Sequence, residues 1–118
     1  MLVAEDNFFL ADSLQYVLEG LGATVVGPFP SCKLALEALD QGEVDVGVLD
    51  IDLQGSSSAV VARALQARNR PFLFMTGFEN ADLLPEGLRE MPFLHKPMDP
   101  MRVAEEVRNL LAKPENED

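Results

Sequence analysis

The chain has 118 residues, 47% of them hydrophobic, and a formal net charge of -11. That length suits one domain with a real core, and the apolar share excludes a largely disordered chain. The acidic balance argues against nucleic acid or an anionic membrane surface as a direct partner, because phosphates would be repelled.

Residues 1–4 are a short apolar run bounded by the acids Glu5 and Asp6, which reads as a first strand. Leu10, Leu14, Val17, Leu18 and Leu21 then recur at helical spacing, with Gly20 and Gly22 as a stop and Asp6 as a candidate cap. Residues 23–26 read as a second strand ending at Gly27-Pro28. Ser31 caps a second helix that carries Leu34, Ala35, Ala38 and Leu39 and stops at Gly42. Residues 44–49 form a third strand closed by Asp50. Gly55 and the serines at 56–58 make a loop, one serine capping a helix with Val60, Val61, Ala64 and Leu65.

Pro71 marks the next turn, and residues 72–75 are a continuously apolar fourth strand, the pattern expected when both faces are covered. In residues 80–90, Pro85 and Gly87 interrupt any helix, so only a short one is expected. Residues 93–95 are a fifth strand. Asp99 caps a last helix with Pro100 in its first turn and Val103, Val107, Leu110 and Leu111 on its inner face. The expected division is one domain over 1–113 and a solvated tail over 114–118.

Strands alternating with helices imply right-handed crossovers and a mostly parallel sheet with helices on both faces. The expected architecture is a flavodoxin-like five-stranded sheet of order 2-1-3-4-5, whose ligands bind at the carboxyl ends of the strands. In that order Glu5, Asp6 and Asp50 meet at one crevice. Crowded carboxylates repel, so at least one pKa should rise, and a divalent cation such as Mg²⁺ relieves the repulsion. A carboxylate can also attack a phosphoryl group and form an acyl phosphate. Thr76 after the fourth strand and Lys96 after the fifth offer a hydroxyl and an ammonium to phosphoryl oxygens. The single cysteine, Cys32, permits no disulfide within the chain and reads as a packing residue. No secretory segment opens the chain and no apolar run is long enough to span a bilayer, so a cytoplasmic location is expected.

The set Glu5-Asp6, Asp50, Thr76 and Lys96-Pro97, each at its strand end, resembles a response-regulator receiver domain of two-component signalling, over essentially the whole chain. The resemblance implies that Asp50 accepts a phosphoryl group from a sensor histidine kinase or a histidine phosphotransfer protein. It also implies that Asp6, Asp50 and the backbone carbonyl of Asp52 bind Mg²⁺ with Glu5 assisting, and that Thr76 and Lys96 contact the phosphoryl group. Leu53-Gln54-Gly55 departs from the Met-Pro usual in the family after the phosphorylated residue. Phe74-Met75-Thr76-Gly77-Phe78 resembles a Phe-Ala-Thr-Gly variant of stand-alone receivers, often associated with kinases of the HWE type. Phe93, three residues before Lys96, fills the aromatic switch position, and Phe78 is a second candidate for it. The implied protein is a phosphorylation switch read by a downstream protein partner, with no output domain in this chain, and a homodimer through the last helices is a family option.

Two other classes share parts of this pattern. A haloacid-dehalogenase-like phosphohydrolase also uses Mg²⁺ and an Asp-X-Asp motif, which Asp50-Ile51-Asp52 mimics after the third strand rather than the first. A flavodoxin-like cofactor-binding protein would need hydroxyl and glycine residues after the first strand, where this chain has Glu5-Asp6-Asn7-Phe8-Phe9.

Overall fold

Period-two alternation along the central strands sorts apolar side chains onto two faces, and helices cover both. The computed structural model describes residues 1–77, 84–88 and 91–112. Strands β1 (Leu2–Ala4), β2 (Val26–Phe29) and β3 (Gly47–Asp50) are followed by two short ones, β4 (Asp52–Leu53) and β5 (Ser56–Ser57). Then come β6 (Phe72–Thr76) and β7 (Phe93–His95), with helices α1 (Phe8–Gly20), α2 (Cys32–Gln41), α3 (Ala59–Ala67) and α4 (Pro100–Ala112) between and after them. The main sheet runs β2-β1-β3-β6-β7 with every pair parallel. With the β4–β5 hairpin set aside, this is the 2-1-3-4-5 flavodoxin-like order expected.

Leu2, Ala4, Leu49, Phe72 and Phe74 pack with Ala35 and Leu39 of α2 and with Val61 and Leu65 of α3. Val3, Val48, Leu73 and Met75 pack on the other face with Leu14 and Leu18 of α1 and with Val103 and Val107 of α4. Each Val, Leu, Phe or Met among them stabilises the fold by roughly 1.5–3 kcal/mol when fully buried. Side-chain caps start α1, α2 and α4: Asn7 Oδ1 accepts from Leu10 N at 3.1 Å, Ser31 Oγ from Leu34 N at 3.3 Å, and Asp99 Oδ1 from Met101 N at 2.9 Å; at α3 the N-cap Ser58 makes no such bond, and Ser57 Oγ accepts from Ala59 N at 3.1 Å. The cap of α1 is thus Asn7 and not Asp6, which leaves the Asp6 carboxylate for other contacts.

The second strand lies later than its sequence pattern suggests. Residues 23–26 are apolar enough, but pairing with β1 begins at Val26 and runs through Pro28 to Phe29. Gly27 adopts φ +106°, and a Cβ there would meet Val3 O at 2.8 Å, so only glycine lets the chain approach β1 this closely. Proline is tolerated because β2 is an edge strand with no partner on its outer side. Leu34, Val60 and Leu111 are exposed rather than packed. Each lies one residue from the helix stripe that packs (Ala35, Val61, Leu110), and one residue is a turn of about 100°. Within the stretch where a weak helix is expected, Glu86–Leu88 form a 3-10 turn with Leu84 and Leu88 buried. Residues 80–83, 89 and 90, Phe78 and the tail lie outside the described residues.

Candidate functional site

Parallel pairing aligns the strand ends, and this alignment gathers the site. Asp50 pairs in register with Met75, Thr76 with His95, and Lys96 N donates to Thr76 O at 2.7 Å. Oxygens of Glu5, Asp6 and Asp50 lie within 4.8 Å of one another. Glu5 and Asp50 are 2% and 4% exposed, whereas Asp6 is open to solvent. Lys96 Nζ sits between the buried pair, 2.7 Å from Glu5 Oε1 and 2.9 Å from Asp50 Oδ2. Glu5 Oε1 and Asp50 Oδ2 thus share one ammonium between them. Glu5 Oε2 accepts from Asn7 N at 2.9 Å.

Burial is the main reason the Glu5 carboxyl is pushed up to about 7; Lys96 and the Asn7 N–H pull it down, and the charge of Asp50 adds a smaller push upward. The expected carboxylate repulsion therefore exists but is not the leading cause. Burial alone would lower the Lys96 ammonium pKa, yet the pairing with Glu5 and Asp50 outweighs it and holds that pKa above its ordinary value.

Other predicted residues are placed less directly. The Thr76 hydroxyl is buried and donates to Gly77 O at 2.8 Å. The Asp52 carboxylate accepts from Gly55 N at 2.8 Å and is not a member of the acidic cluster, while Asp52 N donates to Asp50 Oδ1 at 3.3 Å. Phe93 is 40% exposed, and its ring meets His95 edge-on at 5.1 Å. The Cys32 thiol donates to Ser57 O at 3.5 Å, and burial raises its pKa, as suits a packing residue.

Sequence reasoning missed the β4–β5 hairpin. Its turn, Gln54-Gly55, lacks the Asn-Gly or Asp-Gly pattern that marks such turns, so only Gly55 hinted at it. Gln54 N donates to Asp6 Oδ2 at 2.9 Å, which brings a main-chain donor to the exposed acid of the cluster. A shallow groove of about 460 Å³, lined by Asn7, Phe9, Leu10, Ser13, Lys96, Pro97 and Met98, opens beside the site. Phe9 in its lining is exposed, and so is Phe8, whose ring meets that of Phe9 edge-on at 5.8 Å.

A doubly wound sheet thus carries an acidic cluster, a strand-end aspartate and a lysine at its carboxyl edge. The family model described as the response regulator receiver domain matches residues 1–108, and the chain belongs to that family of two-component signalling domains. Among curated proteins the chain is 39% identical over 79 residues to the sensory transduction protein RegX3 of Mycolicibacterium smegmatis, covering 64% of this chain and 33% of that protein. It is 30% identical over 78 residues to the regulatory protein VanR of Enterococcus faecium, covering 65% of this chain and 33% of that protein. The chain thus spans about a third of the length of these relatives. Among solved structures it is similar to SdrG of Sphingomonas melonis Fr1, at TM-score 0.79 and 37% identity, with 94% of each chain covered. Among the described residues, no helix is long and apolar enough to cross a membrane.

Proposed function

We propose that this chain is the phosphoacceptor of a two-component phosphorelay, with Asp50 as the residue phosphorylated. One observation carries the reading: a nearly buried aspartate at a strand end has an ammonium at 2.9 Å and two further acids within 4.8 Å. A phosphohistidine of a sensor kinase or phosphotransfer protein is the proposed donor. An Asp50 carboxylate oxygen attacks phosphorus, the P–N bond breaks, the imidazole leaves and takes up a proton, and an acyl phosphate remains. The exposed Phe8 and Phe9 and the neighbouring groove offer the donor a surface beside Asp50. The kinase type is proposed to be HWE, from the Phe74-to-Gly77 variant alone.

The cluster fits Mg²⁺: the donors are hard oxygens, and three carboxylates face a single ammonium among the described residues. Asp6, Asp50 and the Asp52 carbonyl would hold the ion, with Glu5 assisting. When bound it would neutralise charge on the phosphoryl oxygens. Lys96, already on Asp50 Oδ2, would follow the developing negative charge. Thr76 would turn its hydroxyl from Gly77 O to a phosphoryl oxygen and so move the loop behind it. Phe93, with Phe78 as the second candidate, would relay that movement to a surface read by a downstream protein in the cytoplasm. The phosphohydrolase reading is weaker, because the second acid of its motif, Asp52, turns its carboxylate onto Gly55 N.

SdrG, a similar protein at 36% identity, has been solved in a BeF3-activated conformation, which supports the same chemistry here. The test is exposure to acetyl phosphate with Mg²⁺ followed by intact mass. One added phosphoryl group, lost in Asp50→Asn, is expected. Steady turnover of a phosphomonoester, or a modification that persists in Asp50→Asn, would contradict the proposal.

A further inference from the structure

Asp6 differs from its two companions in how it is held. Glu5 and Asp50 are buried and clamped by Lys96, whereas Asp6 is exposed in the loop between β1 and α1. Among the described residues, its carboxylate makes one hydrogen bond, Oδ2 accepting from Gln54 N at 2.9 Å across 48 positions of sequence.

The hairpin is built to present that N–H. Leu53 and Ser56 pair antiparallel, and Gln54 and Gly55 form the turn with φ of 54° and 86°. Two successive positive φ values define a type I′ turn, normally filled by Asn or Gly at its first position. Gln54 is held there against its preference. Asp52 Oδ1 closes the tip by accepting from Gly55 N at 2.8 Å, and Leu53, 1% exposed, roots the first strand of the hairpin in the core.

We infer that the Gln54-Gly55 turn is a positioning element for Asp6, whose carboxylate it holds toward Glu5 and Asp50 so that a divalent cation meets three preset acids. The inference rests on the reading of Asp6 as a magnesium ligand. A free surface aspartate samples several rotamers, and immobilising one on binding lowers affinity; a donor that fixes the rotamer beforehand removes that cost. An N–H bonded to a carboxylate belongs to the stronger, charge-assisted class. Gln54 acts through its main chain, so its side chain matters little. Gly55 matters because φ +86° strains any other residue, although a Cβ there would meet nothing within 4 Å.

These features separate two substitutions. Gly55→Val disturbs the turn while its Cβ meets nothing within 4 Å, whereas Gln54→Gly keeps both left-handed positions and the N–H. Mg²⁺ is titrated calorimetrically into the metal-free full chain and each variant, and the Gln54 amide is followed by NMR. Gly55→Val should bind Mg²⁺ about tenfold more weakly, the scale seen when a hydrogen-bond partner of a metal ligand is lost. Gln54→Gly should bind as the wild type does. In Asp6→Ala the Gln54 amide should lose its low-field shift and exchange faster, a readout independent of the metal and of how Gly55→Val folds. Equal affinity in Gly55→Val and wild type, or a Gln54 amide indifferent to Asp6→Ala, overturns this inference alone. A wild type that takes up no Mg²⁺ overturns it together with the ligand reading.

Discussion

Replacing Glu5 by glutamine should flatten the pH dependence of stability in the absence of divalent cations. Folding raises the Glu5 carboxyl from an ordinary 4.5 to about 7, chiefly by burial. The folded state therefore binds a proton more tightly than the unfolded chain does. A pKa raised by folding adds stability that is fully present below the unfolded value and is lost as pH rises through the folded one. At about 1.4 kcal/mol per pKa unit the gap amounts to about 3 kcal/mol, most of it lost between about pH 5 and about pH 8. Glu5 is 2% exposed, so solvent screening takes little from this figure. For a domain of this size the loss corresponds to about 10 °C in Tm. Glutamine keeps an acceptor for Asn7 N–H but cannot titrate. Thermal unfolding followed by circular dichroism in chelator should give similar Tm values for both proteins near the acidic end. The wild type alone should then lose stability toward the alkaline end. Groups common to both proteins cancel in the difference. Parallel curves over the whole range would refute the assignment of a raised Glu5 pKa to burial beside Asp50.

The other expectations concern the same edge of the sheet and the first helix. Lys96→Met removes the ammonium between Glu5 and Asp50. It should cost about 3 kcal/mol in urea unfolding near pH 8 and clearly less near pH 5, where Glu5 takes up a proton; an equal loss at both would contradict this. Mg²⁺ at a hundredfold excess over its Kd should raise stability by about 2.7 kcal/mol, read as a Tm increase that disappears in Asp50→Asn. Asn7→Ala removes the acceptor for Leu10 N at the start of α1 and should cost about 1 kcal/mol, with no effect expected from Asn7→Asp.

Much of the site was legible because its residues follow apolar runs. Asp50, Thr76 and Lys96 close or follow strands that are buried or internally paired, and a parallel order carries all three to one edge. Glu5 was harder to weigh. Its neighbour Asp6 is exposed, and nothing local separates the two; only the packing of β1 between β2 and β3 makes Glu5 the buried acid and Asp6 the open one. Thr76 shows the same limit. Its place is written in the strand, but the direction of its hydroxyl toward Gly77 O is a rotamer choice made by surroundings distant in sequence.

Apolar periodicity and capping residues are local, so the chain alone determined the five strands of the main sheet, the four helices of the described residues, their alternation and the polar groups that end them. Tertiary structure decided what depends on pairing between distant segments. The shift of β2 to Val26–Phe29 follows from a close approach of Gly27 to Val3. The bond from the β4–β5 hairpin to Asp6 joins positions 48 residues apart, beyond the reach of any local sequence pattern.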